Sequence, residues 1–75
     1  MSPELRVYAV IFEKTSTGWS AYVPDLPGVV ATGATRDQVE QLMREGIQIH
    51  IEGMIEDGLP VTEPTTYCQE IRVPA

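Results

Sequence analysis

GWSAYVPDLPGVVATGAT, residues 18–35, is the stretch that settles the chain's architecture. Trp19, Ala21 and Val23 alternate with Ser20 and Tyr22, the period-two pattern of a half-buried strand. Pro24 and Pro27 then end the ladder, because proline has no amide hydrogen to donate. Val29, Val30 and Ala31 form a short third strand that stops near Gly33. Thr35 opens a helix as its N-cap, and Gln38 three residues later completes a capping box.

On the N-terminal side, LRVYAVIFEK, residues 5–14, is rich in β-branched and aromatic types and reads as the first strand. Leu5, Val7, Ala9 and Ile11 share one face; Tyr8, Val10 and Phe12 share the other. Both faces are apolar, so both are expected to be covered, with the helix over Leu5, Val7, Trp19 and Val23. Thr15-Ser16-Thr17-Gly18 is turn chemistry, with Gly18 available for positive φ, and it makes strands one and two an antiparallel hairpin. On the C-terminal side the helix runs to about Asp57; Gly58 takes the C′ position and Pro60 prevents resumption. Residues 61–65 read as a turn. Tyr67 to Val73 reads as a last strand, with Tyr67, Ile71 and Val73 on one face and Cys68, Glu70 and Arg72 on the other. The fold class is α+β: a three-stranded antiparallel meander, one helix and a further strand (β-β-β-α-β), in one domain over 1–75.

Projected at 100° per residue, the helix carries a stripe of Val39, Met43, Gly46, His50 and Met54, flanked by Leu42, Ile47 and Ile49. Ile51 and Ile55 widen the apolar arc to roughly 240°, where one sheet face needs little more than about 100°. The excess is expected to meet another subunit or, as the less favoured alternative, the returning final strand. Gly46 and Gly53 share a face, and close approach of the helix backbone to the sheet is the expected reason for both.

Seventy-five residues with 5 Lys+Arg against 11 Asp+Glu give a small acidic domain of formal charge −6. Such a surface repels phosphate backbones, so no direct nucleic-acid partner is expected. It suits a basic protein partner, and equally it simply maintains solubility. Domains this small bury little surface, and a disulfide, a metal or self-association usually compensates. Cys68 and His50 are the only residues of their kinds, so a disulfide within the chain and a His/Cys zinc cage are excluded. A homo-oligomer, dimer or tetramer, is left. No apolar run approaches the ~20 residues of a membrane span, and MSPELRVYAV lacks a basic n-region and cleavage site. The expected location is the cytoplasm.

Neither catalytic nor cofactor or metal-binding residues are assigned. His50 lies on the apolar stripe without a second ligand, and Cys68 lacks a nearby acid–base partner. Glu45, Glu52, Glu56 and Asp57 form the main carboxylate cluster, on the helix's polar side; with Glu13 they are a weak candidate for a metal-dependent nuclease and a better one for a solvated face. Tyr8, Phe12 and Tyr22 share parity on the two hairpin strands and are expected to build one aromatic patch. That patch, with Ile51, Ile55, Glu52 and Glu56, is the candidate partner or oligomer interface.

The run from Tyr8 to Glu56 resembles the HicB-type antitoxin domain of prokaryotes. Glu13-Lys14 and Gly18-Trp19 match its strand end and strand start. Pro24, Asp25, Leu26, Pro27 and Gly28 match its marking loop, with a role expected to be structural first and recognition second. Thr32-Gly33-Ala34-Thr35, Glu52-Gly53, Glu56-Asp57-Gly58, Pro60 and Glu63-Pro64 complete the pattern. The resemblance implies a partial ribonuclease-H-like fold without that enzyme's carboxylates, no enzymatic activity, and a role as antitoxin. The implied partner is a HicA-like toxin, a small basic protein that cleaves mRNA. Many such antitoxins carry a further DNA-binding module, which residues 1–75 do not match, so direct autorepression is not expected. The alternative is a stand-alone homo-oligomeric module that binds a small ligand or serves assembly.

Overall fold

The computed structural model describes residues 5–75; residues 1–4, which open the stretch read for a leader, lie outside the described residues. Strands β1 (Ile11–Lys14), β2 (Trp19–Tyr22) and β3 (Val30–Gly33) precede a single helix, α1 (Arg36–Glu56). The sheet is an antiparallel meander in the order β1-β2-β3, with the helix packed over β2 and β3. The α+β meander followed by a helix is therefore as expected.

The helix ends are set by side chains and backbone that satisfy its orphan polar groups. Thr35 Oγ1 accepts from the Gln38 amide at 3.2 Å, and Gln38 Oε1 accepts from the Thr35 amide at 3.3 Å. At the far end the Leu59 amide donates to Met54 O (2.9 Å) and the Gly58 amide to Ile55 O (3.1 Å), with Gly58 at φ +70°. That pair of bonds is the Schellman arrangement, which requires a left-handed residue at Gly58.

Val39 and Met43 of α1 meet Ala21, Val23, Leu26 and Val29 in one buried cluster. Leu26 and Val39 are fully buried, each stabilising the fold by about 1.5–3 kcal/mol. Around them Tyr8, Val10, Phe12 and Trp19 are half-buried.

Four expectations need correction. First, the helix covers the Tyr8, Val10 and Phe12 side of the hairpin, while Leu5 and Val7 are exposed. Lys14 pairs with Trp19 and Phe12 with Ala21, so even positions of β1 oppose odd positions of β2. Directly opposed residues share a face, and the turn at residues 15–18 thus reverses the parity assumed from the hairpin alone.

Second, pairing in β1 covers only Ile11–Lys14. Beyond it, Val10 would stand opposite Val23, where β2 has ended and Pro24 begins the loop; the Val23 amide faces β3, donating to Val29 O at 3.3 Å. Third, no strand forms at Tyr67–Val73: residues 67–75 lie outside any regular element and are exposed throughout. A strand needs a paired neighbour, and this segment pairs with none of β1, β2 or β3.

Fourth, the glycines serve other purposes than those expected. Gly18 does not adopt positive φ; a Cβ there would stand 2.2 Å from Gly33 O, so it is excluded by the approach of the β3 end. At Gly46 a Cβ would meet Val29 Cγ1 at an ordinary 3.6 Å, and at Gly53 it would meet nothing within 4 Å. Close packing on the sheet therefore does not account for Gly53. The excess apolar arc of the helix, at Leu42, Ile49 and Ile55, stays exposed.

Candidate functional site

The Pro24–Gly28 loop consists of two turns in series, each opened by a proline. The Leu26 amide donates to Val23 O at 3.1 Å, and the Val29 amide donates to Leu26 O at 3.2 Å. In the second turn Pro27 supplies the fixed φ and Gly28, at φ +90°, the left-handed corner of a type II turn. Leu26, between the turns, drops into the core at 1% exposure. Asp25, at the other corner, points its carboxylate at the segment that follows the helix.

There it accepts four hydrogen bonds. The Thr65 and Thr66 amides donate to Oδ2 at 2.9 and 3.0 Å, and their hydroxyls donate to Oδ1 at 2.9 and 2.7 Å. Chiefly the Thr66 hydroxyl, then the two amides, lower the Asp25 carboxyl to about 2 by favouring its charged form. The Tyr8 hydroxyl donates to Thr62 O, and Arg6 pairs with Glu63 at 3.0 Å. Burial pushes the Tyr8 hydroxyl above its ordinary value. Residues 62–66 are thus tied across the end of the sheet, and the chain beyond them leaves the body at Thr66.

Beside this staple a groove of about 630 Å³ opens between residues 5–8 and the helix. Leu5, Tyr8, Ile47 and Ile51 supply its apolar lining, and Arg6, Arg44, Gln48 and Glu52 its polar rim. A second hollow continues it along Val10 and Phe12. On the outer helix face Gln41 donates to Glu45 (3.1 Å) and Gln48 to Glu52 (3.2 Å), an exposed acidic ladder at i, i+4 spacing.

The candidate interface residues are divided by these surfaces. Tyr8, Ile51 and Glu52 come together in the groove, with Phe12 in its continuation beneath the Arg36 guanidinium, 4.4 Å from the ring centre. Tyr22 is not with them. It stands on the opposite sheet face, paired with Ile11 and Val30, and it is 42% exposed. Ile55 and Glu56 are exposed near the helix end. Reading the residues missed the groove's Arg6, Arg44 and Ile47 and the Thr65–Thr66 staple; Arg6 shares the parity of Tyr8, a signal hidden by the reversed hairpin register.

His50 is half-exposed and Cys68 exposed. Among the described residues no group of three or more His, Cys, Asp or Glu is placed to hold a metal ion, and no buried side-chain nitrogen or oxygen is left without a partner. No helix among them is long and apolar enough to cross a membrane.

Residues 8–74 match the family described as the HicB-like antitoxin of bacterial toxin–antitoxin systems. The chain belongs to that family. It is 30% identical to Antitoxin HicB 2 of Photorhabdus laumondii over 76 residues, covering all of this chain and 54% of that protein. It is 38% identical over 60 residues to an uncharacterised 14.9 kDa protein from the rep–hol intergenic region of Haemophilus phage HP1, covering 77% of this chain and 45% of the phage protein. The chain therefore spans about half the length of these two relatives. In structure it is similar to a chain of the HicA3 and HicB3 toxin–antitoxin complex, with a TM-score of 0.64 and 28% identity over 80% of this chain and 70% of that one. The HicB-like loop can now be read physically: two prolines and a glycine build its turns, Leu26 anchors it, and Asp25 holds the segment after the helix.

Proposed function

We propose that this HicB-like chain is an antitoxin that neutralises a small HicA-type ribonuclease toxin by binding it, without chemistry of its own. The match to the antitoxin family over residues 8–74 carries this reading. Likeness to a chain of a toxin–antitoxin complex supports it. So does the formal charge of −6, with the Glu45–Glu52 ladder displayed on an open helix face. Opposite potentials steer encounter and orient a basic partner, so this ladder is the surface first met by the toxin.

In this reading the chain self-associates, its Tyr67–Val73 segment becomes a strand on association, and the fold is the partial ribonuclease-H-like one implied by the resemblance. The protein works in the cytoplasm and leaves nucleic acid to others. Co-expression with the small basic protein encoded beside it tests the reading. The pair should co-purify, growth arrest by the basic protein should be relieved, and Glu45→Lys with Glu52→Lys should weaken the complex most at low salt. Failure to co-purify, with toxicity unchanged, overturns it.

A further inference from the structure

On the flank of α1, roughly a quarter-turn around the axis from the buried Val39 and Met43, Leu42 and Ile49 stand 45 and 68% exposed. Two helical turns apart, they form one apolar seam along the helix. Glu45, Glu52 and Glu56, all exposed, border the seam on its solvent side. Gln41 and Gln48 donate to the first two of these carboxylates. The ion pairs among the described residues, Arg6–Glu63 and Arg44–Glu40, involve none of the three. Gly53 borders the seam on its sheet side, with nothing within 4 Å of the position its Cβ would take. A glycine inside a helix costs about 1 kcal/mol relative to alanine, and no contact within the chain requires this one. The notch it leaves beside Ile49 is open to the backbone of a neighbour.

An apolar seam beside carboxylates that lack counter-charges selects its occupant by charge. A second copy laid on this face would set its own Glu45, Glu52 and Glu56 against the same three, and like charges brought together oppose burial of the seam. Anionic lipid headgroups and a phosphate backbone are repelled in the same way. An element that suits both features is a helix with apolar side chains at matching spacing, flanked by lysine or arginine. Such a helix can lie along α1 at the usual interaxial distance of about 8–10 Å while its cations reach the glutamates.

We propose that this seam takes a cationic amphipathic helix of the basic toxin, packed along α1 over Leu42, Ile49 and Gly53. The glutamates steer the helix in and reject wrong partners; the two apolar side chains, desolvated beneath it, hold the complex. This deepens the antitoxin reading and rests on it for the identity of the partner.

The test uses the isotope-labelled 75-residue chain and a synthetic amphipathic helix with leucines at heptad spacing and lysines on either side of them. Amide shifts should be largest at Leu42, Glu45, Ile49 and Gly53 and absent at Tyr22, on the far face of the sheet. Leu42→Ser with Ile49→Ser should weaken binding about tenfold or more while the far-ultraviolet spectrum stays unchanged, since neither side chain is buried in the free chain. A peptide of the same composition with its leucines scattered around the helix should bind as weakly, and Glu45→Gln with Glu52→Gln should flatten the salt dependence. Equal binding of the two peptides, shifts centred elsewhere, or no saturable binding up to about 1 mM overturns the seam. A toxin that co-purifies as well with the serine variant as with the wild-type chain also overturns it and leaves the antitoxin reading standing. Peptide bound on the seam with no toxin co-purifying does the reverse: the seam stands, for another basic helix, and the antitoxin reading falls.

Discussion

Asp25 is the residue on which the most local structure converges, because one carboxylate holds the Thr65 and Thr66 amides and hydroxyls together. Its carboxyl is lowered from 3.8 to about 2. A group with a depressed folded value contributes stability that is fully present above its unfolded value and is lost as pH falls through the folded one. The staple should therefore hold above about pH 4 and release on acidification toward about pH 2. The amide resonances of Thr65 and Thr66 should titrate with a midpoint near the lowered Asp25 value, and their hydrogen exchange should accelerate in step. In Asp25→Ala both amides should exchange rapidly at neutral pH while the helix amides stay protected. Flat Thr65 and Thr66 shifts across that acid range, in the wild-type chain, would show that the carboxylate does not hold the segment.

At the scale of the element, the helix is well capped at both ends yet keeps two interior glycines. Gly53 is half-buried but has open space where its Cβ would stand, and a glycine in a helix interior is disfavoured by about 1 kcal/mol relative to alanine. Gly53→Ala should stabilise the chain by about that much in urea denaturation, with an unchanged m-value. A loss of stability instead would mean that another chain packs its backbone against this face. The helix itself was legible from residues: the Thr35–Gln38 box, Gly58 and Pro60 place its ends, because capping is local chemistry. The β2–loop–β3 run was legible for the same reason. The hairpin's parity was not, since it depends on whether the turn contains an odd or even number of residues, and 15–18 holds an even one. That single step displaced Tyr22 from Tyr8 and Phe12 and hid the groove. The segment at Tyr67–Val73 has the composition of a strand, but pairing is a property of two segments, and composition describes only one.

Across the whole molecule the scarce quantity is buried apolar volume. Among the described residues the buried cluster is Ala21, Val23, Leu26, Val29, Val39 and Met43, while Ile49, Ile55, Ile71 and Val73 remain exposed. Small domains of this size bury too little surface to be comfortably stable alone. The acidic charge adds self-repulsion, which weakens the compact state further at low salt. In the self-association reading exposed groups sit between copies, which adds core without adding chain and couples folding to assembly. A folded state stabilised by association has a melting temperature that depends on concentration. Thermal unfolding followed by circular dichroism should therefore shift upward by roughly 3–6 °C for each tenfold increase in protein, given the steep entropy of unfolding in domains of this size. In the self-association reading, the Ile71→Asp, Val73→Asp chain should melt at one lower temperature at every concentration, because exposed apolar groups open to a second copy are removed while the buried cluster is intact. A wild-type melting temperature that stays constant over a hundredfold range would place all of the stability within one copy.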